Sequence, residues 1–243
     1  MRVAVVGAGV MGCATAWALR ERGVEVTVYE QFELDNTRNS SHGRSRIFRI
    51  AYPDPEWIRL AQEAYVGWND LDPDLLGLYG LVELARDPAL TSARALDECG
   101  VDYRLVAEVD GVAIPAGWTA LQVADAGVVY ADRARHVFLD GVDVRTSTRI
   151  DSLDDVDADV VVVTAGAWVV RLVPDVPVRI TRETIAYFRR EGPPPPSVVD
   201  IAEGGGHDMY SLYDPLHGLK AGAHHAGGDT DPDEVGEPDP AIV

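Results

Sequence analysis

Apolar and polar residues along this chain fall into three patterns. The first is a continuous β-branched run, Val3 to Val6, followed by small residues and a helical stretch with Ala16, Ala18 and Leu19 on one side. A run of this kind fits a buried parallel strand. Gly23 closes the helix near Arg20 and Arg22, and Val24, Val26 and Val28 predict a second strand that ends at Glu30. Four valines at 160–163 repeat the pattern and predict another buried strand. Ala165, Gly166 and Ala167 then turn the chain into a helix from Trp168 towards Leu172.

The second pattern is helical. Pro53 and Pro55 introduce a helix from about Glu56 to Leu71, with Trp57, Leu60, Ala61, Ala64, Tyr65 and Trp68 spaced for a core-facing stripe. Shorter segments predict a strand over 77–85, a helix from Thr91 to Cys99 and a strand near Val101 to Leu105. A strand that becomes a helix is expected over 127–140, and an alternating strand over 142–150. The third pattern is alternation after Arg179: ITRETIAYFRR, SVVDIAE, DMYSLYD and GLKAGAHH predict antiparallel strands. EGPPPP (191–196) reads as a rigid loop between two of them.

Between the first strand and its helix stand Gly7, Gly9 and Gly12, a G-x-G-x-x-G turn. Gly7 permits the bend, Gly9 lets backbone N–H groups approach a pyrophosphate, and Gly12 lets the helix pack closely. The helix N-terminus offers unpaired donors to phosphate. Glu30, 23 residues after Gly7, can accept hydrogen bonds from both ribose hydroxyls of an adenosine. Its charge disfavours a phosphorylated ribose but does not separate NAD from FAD.

Bulk composition narrows the class. An apolar content of 47% supports a globular core. No apolar run reaches the ~18 residues that span a bilayer, and because the sequence opens on its first predicted strand no signal peptide is expected. Cys13 and Cys99 supply neither a disulfide framework nor a metal-ligand cluster, so no metal is expected and the cytoplasm is the expected compartment. The net charge is −19, unevenly spread: residues 1–60 hold eight Arg and seven acids, and the rest carries the excess of acid. Such a surface repels nucleic acid and anionic membrane. Arg38, Arg44, Arg46 and Arg49 stand out against it. So does Lys220, the single lysine among twenty arginines. An ammonium is a compact charge whose proton can be lost, unlike that of a guanidinium. Lys220 and His224 are four apart in an alternating segment and share one strand face. The last fifteen residues hold six acids and three prolines and read as a tail.

In order, GAGVMG, SHGRSRIFRIAY, DAGVVYADRA, VTAGAW, and Tyr210 with GLKAGAHH resemble the sarcosine oxidase-like flavoproteins of the D-amino-acid-oxidase group. The resemblance runs through nearly the whole chain. It implies an α/β fold: a Rossmann-like FAD-binding domain with an interleaved α+β substrate domain on a mostly antiparallel sheet. The expected FAD domain is 1–76 with 141–173, the substrate domain 77–140 with 174–228, and the acidic tail 229–243. It also implies oxidation of a small secondary amine or N-methyl amino acid to an imine, with oxygen reoxidising the flavin to give hydrogen peroxide.

By the same resemblance, Gly7, Gly9, Gly12 and Glu30 match the adenosine and pyrophosphate site, with Val10, Met11 and Gln31 beside them. Ser41, His42 and Gly43 match the loop beside the flavin. Arg46, adjoined by Ile47, matches a basic residue next to the isoalloxazine. Ile150 matches an apolar contact on the adenine side, and Ala165, Gly166 and Trp168 the second FAD contact. Arg49 matches the arginine holding the substrate carboxylate, Tyr210 a substrate-facing tyrosine, Lys220 a lysine of oxygen activation, and His224 an active-site histidine. Independently, a cation suits the negative charge that builds on a reduced flavin and on oxygen, and a guanidinium suits a carboxylate.

The family's chains carry a further catalytic stretch, a closing Gly-rich segment and a late lysine that have no counterpart here. Some carry a cysteine joined to the flavin; Cys13 and Cys99 do not match it, so non-covalent FAD is expected. Exposed sheet edge makes a homo-oligomer an option. Two other classes fit parts of the pattern: a truncated, non-catalytic nucleotide-binding fold acting as a partner, and an NAD-dependent dehydrogenase, which the TAGAW turn and the arginine loop weaken.

Overall fold

The computed structural model describes residues 1–201 and 209–240. In chain order the elements begin β1 (Arg2–Val6), α1 (Val10–Arg20), β2 (Glu25–Tyr29), β3 (Arg46–Phe48) and α2 (Pro55–Leu71). They continue β4 (Leu76–Gly77), β5 (Leu81–Ala85), α3 (Ala93–Cys99), β6 (Arg104–Val106), β7 (Thr119–Val123) and β8 (Gly127–Val129). Then come α4 (Ala131–Leu139), β9 (Asp143–Arg145), β10 (Val160–Val163), α5 (Val169–Leu172), β11 (Ile185–Arg189), β12 (Ser197–Ile201), β13 (Met209–Asp214) and β14 (Gly218–Ala223). Among the described residues no helix is long and apolar enough to cross a membrane.

The chain forms two compact units. Unit 1 comprises Met1–Gly43, Ala131–Ile180 and Asp229–Val235; unit 2 comprises Arg44–Tyr130 and Thr181–Gly228 with the residues after Val235. The chain thus changes unit at Arg44 and Ala131, not at the expected 77 and 141. Backbone pairing explains the first shift, since β3 is antiparallel to β8 with Arg46 opposite Val129. Packing explains the second: α4 lies on α1, and the Trp17 and Phe138 rings meet at 5.8 Å.

Unit 1 is a parallel sheet in the order β10-β1-β2-β9. Val3 to Val6 are buried at its centre, as their β-branched run demands. The chain leaves β1 for β2 on one side and later returns to β10 on the other, so the strand order reverses at the end of β1. In open α/β sheets the ligand crevice lies at that reversal. Two expectations change here. The valines of β10 are not buried: the strand is an edge, and Val160 is 44% exposed. The strand expected over 142–150 shrinks to Asp143–Arg145, because its last residues turn away to bond the end of β2 and the loop beyond it: Thr148 N–H donates to Glu30 O at 2.8 Å and Ser147 N–H to Phe32 O at 3.1 Å.

Unit 2 carries a seven-stranded sheet in the order β11-β14-β13-β12-β5-β7-β6 and a small sheet β3-β8-β4. The larger sheet is mixed. β12 is antiparallel to β13 but parallel to β5, so SVVDI is not the purely antiparallel strand its alternation suggested. Leu81, Leu121, Val123 and Leu212 are among its buried side chains. α2 starts as its prolines predict, with the Asp54 side chain accepting the Glu56 N–H at 2.9 Å. Its buried stripe differs from the expected one. Ile58 and Ala61 are buried and Tyr65 and Trp68 half-buried, whereas Trp57, Leu60 and Ala64 face solvent. The chain offers two apolar stripes about a third of a turn apart, and packing selects the one that stacks Tyr65 on Phe48, with ring centroids 6.0 Å apart.

The acidic end is not a free tail. Asp229 to Asp233 lie along unit 1, where Arg179 donates to Asp229 and Arg171 to Asp231. Its carboxylates meet guanidinium groups, a match that hydropathy alone does not register.

Candidate functional site: a dinucleotide cleft and a cationic cluster

The first turn of unit 1 is held from both sides. Gly7 N–H donates to Tyr29 O at 2.8 Å, while Thr164 Oγ1 donates to Gly7 O at 2.9 Å. Gly7 takes φ +106°, and a Cβ at Gly12 would stand 1.9 Å from Gly7 O. Both positions therefore require glycine. Cys13 N–H is the first to bond back along the helix, to Gly9 O at 2.9 Å. Ahead of it, Val10 N–H donates to Ser41 Oγ at 2.9 Å, and the N–H groups of Met11 and Gly12 have no helical carbonyl four residues before them. The result is an anion-accepting N-terminus.

Glu30 ends β2, 6% exposed. Its Oε2 accepts Ala8 N–H at 2.9 Å and its Oε1 accepts Phe32 N–H at 3.0 Å. Each oxygen keeps a lone pair for a hydroxyl. Together these elements wall a cleft of about 310 Å³. Gly7, Gly9, Val10, Met11, Glu30, Gln31, Ser41, Ile150, Ala165, Gly166 and Trp168 line it. Gly12 lies beneath it as a packing residue. His42 does not line it; its Nδ1 sits 2.5 Å from Asn39 O. Arg46 and Ile47 belong to β3 in unit 2.

In unit 2 the sheet register places Lys220 between Leu212 of β13 and Tyr187 of β11, and Gly222 opposite Tyr210. Alternation puts Lys220 and Gly222 on one face of β14, whereas His224 lies just past the end of the strand at Ala223, so the expected sharing of a strand face stops short of it. Lys220 is buried, and its Nζ donates to Ser45 O at 2.6 Å. Arg46 Nη1 donates to the same oxygen at 2.8 Å. Desolvation, reinforced by Arg46 and opposed by Asp214, pushes the Lys220 pKa down to about 8. Burial raises the Tyr210 phenol, with Arg46 acting the other way. The Tyr210 ring covers Gly222 and meets the exposed His224 ring at 5.2 Å. Ser45 Oγ is fully buried and has no hydrogen-bond partner among the described residues. Arg49, just past the end of β3, is also part of unit 2. It is stacked over Tyr52 at 4.2 Å in a groove shared with Trp57, Leu90, Arg94 and Ile201.

A family model described as FAD dependent oxidoreductase matches residues 2–243. The chain belongs to this family. It is 30% identical to the peroxisomal sarcosine oxidase of Mus musculus over 95% of this chain and 70% of that protein. It is 28% identical to the peroxisomal sarcosine oxidase of Homo sapiens, over 78% of this chain and 57% of that one. With the monomeric sarcosine oxidase of Bacillus sp. (strain B-0618) the identity is 24%, over 96% and 70%. The chain thus spans between about half and three-quarters of these relatives' lengths. Among solved structures the open form of NikD, an unusual amino acid oxidase essential for nikkomycin biosynthesis, superposes with a TM-score of 0.76 at 21% identity, covering 98% of this chain and 73% of that one. That likeness shows the fold.

FAD is the cofactor of this family, and the residues of unit 1 fit its adenosine and pyrophosphate. The glycines leave room for phosphate oxygens at the helix N-terminus, and the buried Glu30 retains acceptor capacity for a ribose. In unit 2 the Ser45 carbonyl takes both cations, while its buried Oγ has no partner among the described residues. A buried hydroxyl left unpaired costs roughly 1–3 kcal/mol.

Several residues escaped the sequence reading. Thr164 clamps the Gly7 turn, and only its place before AGAW hints at that. Arg135 is 4% exposed. It donates to Ala8 O at 3.2 Å and Leu34 O at 2.7 Å, tying the Gly loop to the loop after β2. Its position in α4 reads as one more surface arginine. Arg149 and Arg171 also line the cleft, with no distinguishing local signal.

Proposed function

We propose that this chain carries out, or forms the main part of a protein that carries out, oxidation of a small carboxylated secondary amine or N-methyl amino acid. The relatives named for sarcosine oxidation and the cationic cluster in unit 2 support this reading. FAD held by the Gly7–Gly12 turn and Glu30 would supply the two-electron redox chemistry, with a hydride equivalent leaving the carbon next to the amine nitrogen to give an imine, and oxygen taking up the two electrons as hydrogen peroxide.

The residues of the chain have separable tasks in this scheme. The Gly7–Gly12 turn and Glu30 bind the adenosine diphosphate portion non-covalently. Arg49 orients the substrate by its carboxylate, through paired charge-assisted hydrogen bonds. Its stacking on Tyr52 limits the freedom lost on binding. Tyr210 and His224 form an aromatic surface that excludes water from the amine. Lys220 and Arg46 supply positive charge where electron transfer builds negative charge.

The observation that carries the proposal is the buried Lys220 ammonium sharing the Ser45 carbonyl with Arg46. Burying one cation next to another opposes folding, so the arrangement is suited to stabilising an anion. A net charge of −19 makes such a pole unusual for the surface as a whole. The test is a flavin spectrum of the purified chain, followed by anaerobic titration with sarcosine and with larger N-methyl amino acids. Bleaching by such an amine, then peroxide on admitting oxygen, is the expected result. Bound flavin that no secondary amine reduces would overturn it.

A further inference from the structure

The segment expected to be a loose tail carries a further role. Asp233 is engaged at four points within unit 1. Its Oδ1 accepts the Trp168 indole N–H at 2.8 Å and lies 3.6 Å from Arg149 Nη1. Its Oδ2 lies 3.7 Å from Arg171 Nη2. Its carbonyl oxygen accepts Arg38 Nη2 at 3.1 Å. Asp231 braces the same turn, accepting Asp233 N–H at 2.9 Å and Arg171 Nη2 at 2.5 Å.

These partners form part of the dinucleotide cleft. Trp168, Arg149 and Arg171 all line it. The Trp168 ring meets Phe32 edge-on at 5.5 Å, and the Arg38 guanidinium lies 4.7 Å over that same Phe32 ring. Arg38, Phe32, Trp168 and Asp233 therefore close a circuit of contacts behind one wall. Trp168 is 8% exposed. A buried indole N–H needs an acceptor to hold its ring in one orientation. The half-exposed ion pairs contribute little by themselves, about 0–1 kcal/mol each. The indole bond is the contact that sets the wall.

We propose that Asp233 is a positioning residue for the adenosine half of the cofactor, acting through Trp168. This rests on the reading of the unit 1 cleft as the adenosine site. Without the carboxylate, the indole loses its acceptor and two arginines lose the anion between them. The wall then relaxes, and the cleft must be re-formed on binding.

The test uses the FAD-loaded protein. Retention of FAD on dilution is followed by flavin fluorescence, with ADP and FMN as separate competitors. Asp233→Ala is expected to weaken retention of FAD and competition by ADP by roughly tenfold, the scale of one lost buried hydrogen bond. Introduced into Trp168→Phe, which has no indole donor, the same change is expected to add less than about twofold, since the two residues act as one unit. Asp233→Asn keeps an oxygen acceptor for the indole and is expected to stay within about threefold of the parent. It also serves if the alanine variant does not fold. An alanine variant as tight as the parent, equal losses in both backgrounds, or an asparagine variant as weak as alanine would each overturn the inference. If ADP fails to displace FAD from the parent chain while FMN succeeds, the cleft assignment itself is wrong.

Discussion

Lys220 Nζ donates to the carbonyl oxygen of Ser45 at 2.6 Å across 175 residues of chain. Arg46 reaches that oxygen from its own strand at 2.8 Å. One neutral acceptor thus orients two cations, and their mutual repulsion adds to the desolvation that lowers the Lys220 pKa. The arrangement leads to predictions that separate the two halves of a flavin cycle.

Lys220→Met removes the ammonium and keeps a side chain of similar length. In stopped-flow measurements, reoxidation of the reduced protein by oxygen is expected to slow by about 10²-fold or more, the size of a lost preorganised charge. Anaerobic reduction by substrate should change far less. Equal effects on both half-reactions would count against the role.

The pH dependence follows from the direction of the shift. With its pKa pushed down to about 8, Lys220 loses its proton as pH rises through that value. Reoxidation is therefore expected to fall above pH 8, and Lys220→Met should flatten that profile. The sign for stability is opposite. Between about 8 and the ordinary value of 10.5 the unfolded chain binds the extra proton. The penalty for burying a charged lysine is fully present below pH 8 and is relieved through this window, so this group's contribution to stability rises with pH. Comparing urea midpoints of the parent and Lys220→Met at pH 7 and pH 10 checks it.

Gly12→Ala places a methyl group 1.9 Å from Gly7 O and 2.7 Å from Thr164 Oγ1. The first contact is backbone on backbone, so the helix must move off the turn. A destabilisation of about 1–3 kcal/mol is expected. At roughly 2–4 °C per kcal/mol for a chain of this size, a thermal melt will register it. Flavin content after purification should fall with it.

Glu30→Ala orphans the N–H groups of Ala8 and Phe32, both now paired with its carboxylate. Each buried unpaired donor costs about 1–3 kcal/mol. The variant should melt lower than the parent and bind FAD more weakly. Glu30→Gln, which presents one acceptor oxygen and an amide donor in place of two acceptors, should lie between them.

Arg49→Ala is expected to raise KM for a carboxylated amine by roughly 10–100-fold, the value of a charge-assisted pair. A secondary amine with no carboxylate should be nearly unaffected. Parallel anaerobic titrations with the two kinds of amine measure the difference.

The local chemistry of unit 1 was legible in the residues themselves. Val3 to Val6 had to be a buried strand, and Gly7 and Gly12 had to stay glycine, because backbone sterics act over a few neighbouring residues. Glu30 was legible for the same reason, as the acid at the end of the next strand. Lys220 stood out by composition alone. The helix over Pro55–Leu71 was readable from its prolines and spacing, yet its buried stripe was not: Trp57 and Ile58 are equally apolar locally, and only packing chose Ile58.

Contacts between distant segments lay beyond the sequence. Nothing near Asp233 announces Trp168, 65 residues away, and nothing near Arg135 announces the carbonyl of Ala8. Composition marks an acidic, proline-rich end as unable to bury itself; only the fold brings arginines and an indole to meet it. Hydropathy and backbone propensity are local properties, so the sequence by itself determined the first two strands, the glycine turn between β1 and α1, and the family. Partnership of charges and the orientation of a buried indole depend on which surfaces folding brings together, and the tertiary structure alone decided those.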